Sequence, residues 1–367
     1  MPSYHKTSAT AQRPGIPKTR KAGNVLFAFA LLNAMEPRAT SSRFKLPSWA
    51  AQTAGYILSA ACLVWVLHGY PIKEELLPAL HELDWRWIAL ASGCEVAVYF
   101  VQSWRWRTLL EPVIRLGFWR TSQAIFVGLF ANEVLPLRTG ELIRCYLLAH
   151  WNNLRISLSF ASAAVERVID GLVLVACFLF TAGIVRGIPE DLKILVRILG
   201  GCLILLAMAL LWLIRRKLDS HPALQEGKWL ATFRHVVEGL HLMGNPRTLA
   251  LTSGISVLYV ALQFVSLWAV MKAYELDLSI WAAAGIVTII RLWTVVPNAP
   301  GNLGFLNAAC VVALKGLDVE PKVATTFSII LFGVWTLPIV LLGAIATALT
   351  GSNIAELRRR ARMRMEG

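Results

Sequence analysis

Ten charged side chains stand inside otherwise apolar stretches of this chain: Glu95, Glu133, Arg138, Glu141, Arg144, Glu166, Arg167, Asp170, Arg197 and Arg291. Glu141 and Arg144 are three residues apart, so on a helix they share a face and can pair. Glu166 and Asp170 are four apart. Two carboxylates on one face of a helix in low dielectric repel each other unless a cation or a proton sits between them. Arg138, Arg144 and Arg291 are the cations this spacing offers. Arginines fixed by carboxylates suit the binding of an anion such as a phosphate group. The carboxylates have a second use, which is to hold a cationic part of the same ligand. Glu166 and Asp170 also suggest acid–base chemistry. The sequence lacks metal-ligand spacings, an activated nucleophile and Walker or Rossmann loops, so no enzyme activity and no cofactor or metal are expected. Glu95 and Arg197 are lone charges, for which local pairing or snorkelling is the plain reading.

The elements that must position these residues are helices in lipid. Of 367 residues, 56% are hydrophobic and 16% charged, and mean hydropathy is +0.58. A water-soluble domain carries about 25% charged residues. Six stretches are long enough to span a bilayer: Trp49–His68, Trp87–Ser103, Ser157–Val185, Ile194–Ile214, Thr248–Met271 and Ala324–Leu349. Two more apolar regions are interrupted. Thr121–His150 breaks around Pro136 to Gly140, and Ile280–Leu314 breaks around Pro297, Pro300, Gly301 and Gly304. Proline and glycine at such density end a helix. Each break therefore predicts a re-entrant hairpin of two short helices. Trp85, Trp87, Trp104 and Trp106 read as an interfacial belt.

Charge counting sets the expected topology. If each hairpin enters and leaves on one side, the side holding both termini carries 24 Lys and Arg and the opposite loops carry 7. The positive-inside rule then puts both termini in the cytoplasm of a bacterial inner membrane. A net charge of +14 reports this orientation and membrane-surface contact, with no nucleic-acid partner implied. Residues 1–48 are expected to form a basic cytoplasmic tail, 49–349 the membrane domain and 350–367 a second basic tail. Met35 offers an alternative start. The six cysteines have no metal or disulfide spacing.

The span–hairpin–span order recurs, over 87–185 and over 248–349, and both breaks share the spacing Pro-x-x-x-Gly (Pro136 to Gly140, Pro297 to Gly301). The expected fold is an all-α polytopic membrane protein with about six full spans plus two broken-helix hairpins in an inverted repeat. Two half-helix N-termini would face a midplane site.

At these residues the chain resembles a known family. The string Asn132-Glu133-Val134-Leu135-Pro136-Leu137-Arg138-Thr139-Gly140-Glu141-Leu142-Ile143-Arg144, followed by Ser159 and Glu166-Arg167-Val168-Ile169-Asp170, is similar to the flippase-like transmembrane region of lysylphosphatidylglycerol synthases. Pro297-Asn298-Ala299-Pro300-Gly301-Asn302-Leu303-Gly304 resembles that family's second signature. The resemblance covers roughly 85–350. It implies a domain that moves lipids between leaflets. It adds Asn132, Arg167 and Asn302 to Arg138, Glu141, Arg144, Glu166, Asp170 and Arg291 as candidate headgroup residues. The partner it implies is a phospholipid or another polar-headgroup lipid, with a second copy of the chain and lipid-synthesis enzymes as further candidates. The sequence departs from the family pattern twice. Asn307 stands where the family often has Glu, and no aminoacyl-transferring domain follows Leu349.

The leading expectation is a translocase that exposes a headgroup alternately to each face. An ion-coupled carrier for a small solute and a membrane-embedded lipid-modifying enzyme are the alternatives.

Overall fold

The computed structural model describes residues 48–68, 70–135, 139–184, 190–215, 241, 243–294 and 299–350. Pro136, Arg138 and Pro297, three residues of the expected breaks, lie outside them. Residues 40–347 make one compact unit. The other unit comprises 1–39 and 348–367, of which only the last residues of one helix and Thr350 are described.

Among the described residues the protein is all helix. The α-helices are α1 (Ser48–Leu67), α2 (Leu77–Glu82), α3 (Trp85–Leu110), α4 (Phe118–Val134), α5 (Gly140–Trp151), α6 (Ile156–Ile184), α7 (Glu190–Arg215), α8 (Pro246–Ala273), α9 (Ile280–Trp293), α10 (Phe305–Lys315) and α11 (Pro321–Leu349). A π-turn (Ile72–Leu76) precedes α2, and a 3-10 turn (Pro300–Asn302) lies between α9 and α10. Apolar side chains leave the backbone no water to bond, so it bonds within each helix. The ends are marked locally. Asp84 and Asn245 accept the amides of Arg86 and Arg247, and Ser279 accepts that of Ala282.

Length separates two kinds of helix. α3, α6, α8 and α11 have 26, 29, 28 and 29 residues, about 39–44 Å at 1.5 Å per residue. α4, α5, α9 and α10 have 17, 12, 14 and 11, about 16–26 Å. Long, short, break, short, long therefore occurs twice. The short arms of each pair pack together, α4 on α5 and α9 on α10. Among the described residues, α8 and α11 are each long and apolar enough to cross a membrane.

α3 and α8 form the most extensive contact, antiparallel along their lengths. Ser266 bonds the Ala91 carbonyl near one end and Arg105 bonds Ser256 towards the other. Small residues permit that approach. The buried apolar core joins the ends of α3 and α8 to α9, α10 and α11. Large apolar residues also lie outward, including Ile198, Leu205, Met208, Leu337, Leu341 and Ile345. Water would penalise so large an apolar exterior, whereas hydrocarbon accepts it.

Two sequence expectations need correction. The second span does not end at Ser103: the helix continues to Leu110, so Arg105 is not a loop charge but is fully buried. Trp106 is not part of an interfacial belt. It too is fully buried, with its Nε1–H donating to Ser162 Oγ at 2.9 Å. Trp85 and Trp104 do face outward.

Candidate functional site

Six charges close a ring. Arg105 on α3 donates from Nε to Glu166 Oε1 (3.3 Å) and grips Asp170 with both terminal nitrogens. Glu166 Oε2 accepts from Arg144 at 3.1 Å. Arg144 turns back to Glu141, with Nε to Oε2 at 2.8 Å. Glu141 meets Arg167 at 3.8 Å, and Arg167 meets Asp170 at 3.7 Å. Arginine and carboxylate alternate around the whole circuit, so its formal charge cancels. That answers the repulsion predicted between Glu166 and Asp170. The cation between them is Arg105.

The ring fastens the first hairpin. It joins α5 (Glu141, Arg144) to α6 (Glu166, Arg167, Asp170) and to α3, and Arg105 reaches α8 through Ser256 Oγ at 3.1 Å. Aromatic faces cover two of the guanidinium groups: Trp106 lies 4.7 Å from Arg144 and Tyr259 5.2 Å from Arg105. Burial without such pairing would cost several kcal/mol per ion.

The hairpin arms meet at glycines. A Cβ on Gly140 would run into the Gly128 carbonyl and the Asn132 side chain. Asn132 Oδ1 accepts the Gly140 amide at 2.8 Å, so it caps α5 across the break. The second hairpin is held by neutral groups. Gly304 (φ +80°) precedes α10, and its amide donates to Asn307 Oδ1 at 3.3 Å. Asn307 Nδ2 donates to the Ser328 carbonyl on α11 at 3.1 Å. Ser59 on α1 accepts the Ala299 amide at 2.8 Å. The second half-helix thus starts after Gly304 rather than directly after Gly301.

The two breaks meet. A Cβ on Gly301 (φ +68°) would stand 2.7 Å from Glu133 Oε2 of the first hairpin. Around this junction lies a cavity of about 340 Å³. Asn132, Glu133 and Leu135 come from the first break, and Ala299, Gly301 and Asn302 from the second. Glu95, Tyr99 and Gln102 of α3, Tyr259 of α8, Arg291 of α9 and Trp335 of α11 complete most of the wall.

The structure therefore divides the predicted residues. Asn132, Glu141, Arg167, Arg291, Gly301 and Asn302 line the cavity. Arg144, Glu166 and Asp170 sit in the ring and are not on its wall. Gly140 packs the first hairpin, and Gly304 packs against the α1 backbone at Ser59 and Leu63. Pro300 opens the 3-10 turn. Sequence reasoning missed Arg105, Trp335 and Tyr259, and treated Glu95 as a stray charge. Glu95 is 3% exposed.

Several cavity-wall residues have a buried polar atom without a hydrogen bond. Glu95 Oε1, Arg291 Nε and Trp335 Nε1 have no hydrogen-bond partner among the described residues. Each such atom costs about 1–3 kcal/mol, which is tolerable where a ligand supplies the bond.

Comparison with known proteins gives the chain a family. The family described as lysylphosphatidylglycerol synthase TM region matches residues 52–343, and the chain belongs to that family. A UPF0104 membrane protein of Methanocaldococcus jannaschii is 25% identical over 228 residues, which is 62% of this chain and 96% of that protein. A UPF0104 membrane protein of Methanothermobacter thermautotrophicus is 21% identical over 77% of this chain and 90% of its own length. The glycosyltransferase AglD of Haloferax volcanii is 30% identical over 124 residues, 33% of this chain and 19% of that protein. This is a membrane protein of a family whose helices can span the bilayer.

Proposed function

We propose that this protein is an inner-membrane lipid translocase that carries a polar-headgroup lipid between leaflets by alternating access. The observation that carries this reading is the cavity at the junction of the two breaks. A headgroup needs a polar, enclosed way through hydrocarbon, and irregular backbone is tolerated at membrane depth only where it is buried or lines a cavity. Broken helices around a central site are the usual device of transporters.

The paired helix lengths support an inverted repeat of 87–185 and 248–349, with α3 and α8 as the antiparallel seam. In this reading six long helices span the membrane, the hairpins enter from opposite faces and both termini are cytoplasmic. Residues 1–48 and 350–367 are then basic tails flanking the membrane domain. Arg167, half-exposed at the cavity, and Arg291 attract the headgroup; the ring holds Arg167 in place. Transport rather than catalysis is favoured by the placement of Glu166 and Asp170, which are tied to Arg105 away from the cavity.

The test is leaflet exchange in proteoliposomes. Fluorescent lipids with a panel of headgroups are expected to become accessible to an external quencher faster with the protein than without it. An unchanged rate for every headgroup defeats the proposal. Uptake of a water-soluble ion or metabolite instead would favour the small-solute carrier, and a chemically altered lipid would favour an enzyme.

A further inference from the structure

Three of the unmet atoms on the cavity wall are one acceptor and two donors. Glu95 Oε1 accepts, while Arg291 Nε–H and Trp335 Nε1–H donate. They are neighbours. The Arg291 guanidinium lies 5.9 Å from the Trp335 ring. The Tyr99 hydroxyl stands 3.4 Å from both Glu95 Oε2 and the Trp335 carbonyl, which ties the acceptor to the donor pair. No direct ion pair joins Glu95 to Arg291 among the described residues. Ser266, beside Glu95, turns its hydroxyl to the Ala91 carbonyl.

Ligand chemistry can be sorted against that pattern. A phosphate oxygen only accepts and offers the Glu95 acceptor no hydrogen. A primary ammonium only donates; alone it leaves Arg291 and Trp335 unmet, and joined to a phosphate it makes phosphatidylethanolamine the rival occupant, which the unfolding experiment decides for or against. A quaternary ammonium neither donates nor accepts. An alcohol carries one donor and two acceptor lone pairs, which matches one acceptor and two donors. Nearby wall residues are suited to more of the same, since Gln102, Asn132, Asn302 and Tyr259 are amides and a phenol.

We infer that Glu95, Arg291 and Trp335 form a subsite for a free hydroxyl of the lipid headgroup, as carried by a sugar or by glycerol. The inference rests on the translocase reading for its lipid, and names the headgroup chemistry that reading leaves open. Glu95 orients the hydroxyl hydrogen; Arg291 and Trp335 bind its oxygen.

The experiment is thermal unfolding of the purified full chain in mixed micelles, with matched acyl chains and four headgroups. Glucosyl diacylglycerol and phosphatidylglycerol carry free hydroxyls; phosphatidylethanolamine and phosphatidylcholine do not. One or both hydroxylated lipids are expected to raise the midpoint at least threefold more than the other two. A rise with the glucosyl lipid alone names a sugar, and with phosphatidylglycerol alone names glycerol. Trp335→Phe keeps a ring and removes one donor, and Glu95→Gln is isosteric. Each should cut the lipid-induced shift at least threefold. Equal shifts for all four lipids, or shifts retained in both variants as for a site filled by water only, overturn the inference. The wild-type ranking decides even where a variant does not fold. Since the midpoint shift needs no transport, a null leaflet-exchange result would remove the translocase reading and leave the subsite standing.

Discussion

The two hairpins have the same architecture and opposite chemistry. In the first, the arm after the break is bound to the next long helix by Arg144 and Glu166, inside a ring of six charges. In the second, the corresponding arm is bound by Asn307 to Ser328, with no charge at all. Both contacts sit about one turn inside the second arm. Shape alone, then, does not require charge at this joint. The charged version differs in one respect, which is that its edge reaches the cavity through Glu141 and Arg167. A ligand can compete for that edge, whereas the amide contact of the second hairpin is buried away from the cavity. In the proposed translocase the first hairpin is then the ligand-responsive one and the second the fixed one.

The largest expected effect breaks the ring at a fully buried arginine. Arg105→Met removes the cation between Glu166 and Asp170, leaving each carboxylate only its outer arginine, Arg144 or Arg167, and is expected to cost about 3–5 kcal/mol of stability. Chemical unfolding in detergent measures it. A loss below about 1 kcal/mol would mean that the ring does not hold α5 to α6. Next comes Gly140→Ala, whose new methyl group meets the Gly128 carbonyl. Prying the first hairpin apart is expected to cost about 1–3 kcal/mol. The counterpart in the second half is Asn307→Ala, which strips the Ser328 carbonyl and the Gly304 amide of their partner at about 1–2 kcal/mol. If Asn307→Ala cost more than Arg105→Met, the assignment of fixed and responsive halves would reverse. The smallest change is Glu141→Gln. Its amide oxygen can still accept from Arg144, and its other partner Arg167 is 53% exposed and 3.8 Å away, so stability should fall by about 1 kcal/mol or less. Lipid exchange in proteoliposomes should change severalfold all the same, and only in the first half is such a separation of stability from transport expected.

Much of this was legible in the chain itself. Pro136, Gly140, Gly301 and Gly304 announce the breaks, because they cannot continue a helix. Apolar length announces the long helices. Glu141, Arg167, Arg291 and Asn302 announce polarity that lipid would reject. What stayed hidden depends on which way one residue points at a helix end. Trp104-Arg105-Trp106-Arg107 has the composition of an interfacial boundary, and Arg107 and Trp104 do face out. Arg105 and Trp106 turn inward because the helix runs a further turn and more beyond Ser103. The signal that could have found Arg105 was the unresolved repulsion of Glu166 and Asp170, which demanded a cation from a neighbouring helix. Trp335 was hidden for a different reason. Nothing in an apolar helix marks which tryptophan has an idle N–H. Asn307 was visible only as a departure from a family pattern, and its bond to Ser328 could not be read from sequence.

Synthesis order gives the closed circuit a temporal dimension. Arg105 and Arg144 leave the ribosome before Glu166, Arg167 and Asp170 exist. Until the sixth helix arrives, two guanidinium groups of the circuit have only Glu141 of its carboxylates to balance them. A chain halted after residue 155 should accordingly be degraded faster than one halted after residue 184, by pulse-chase in cells.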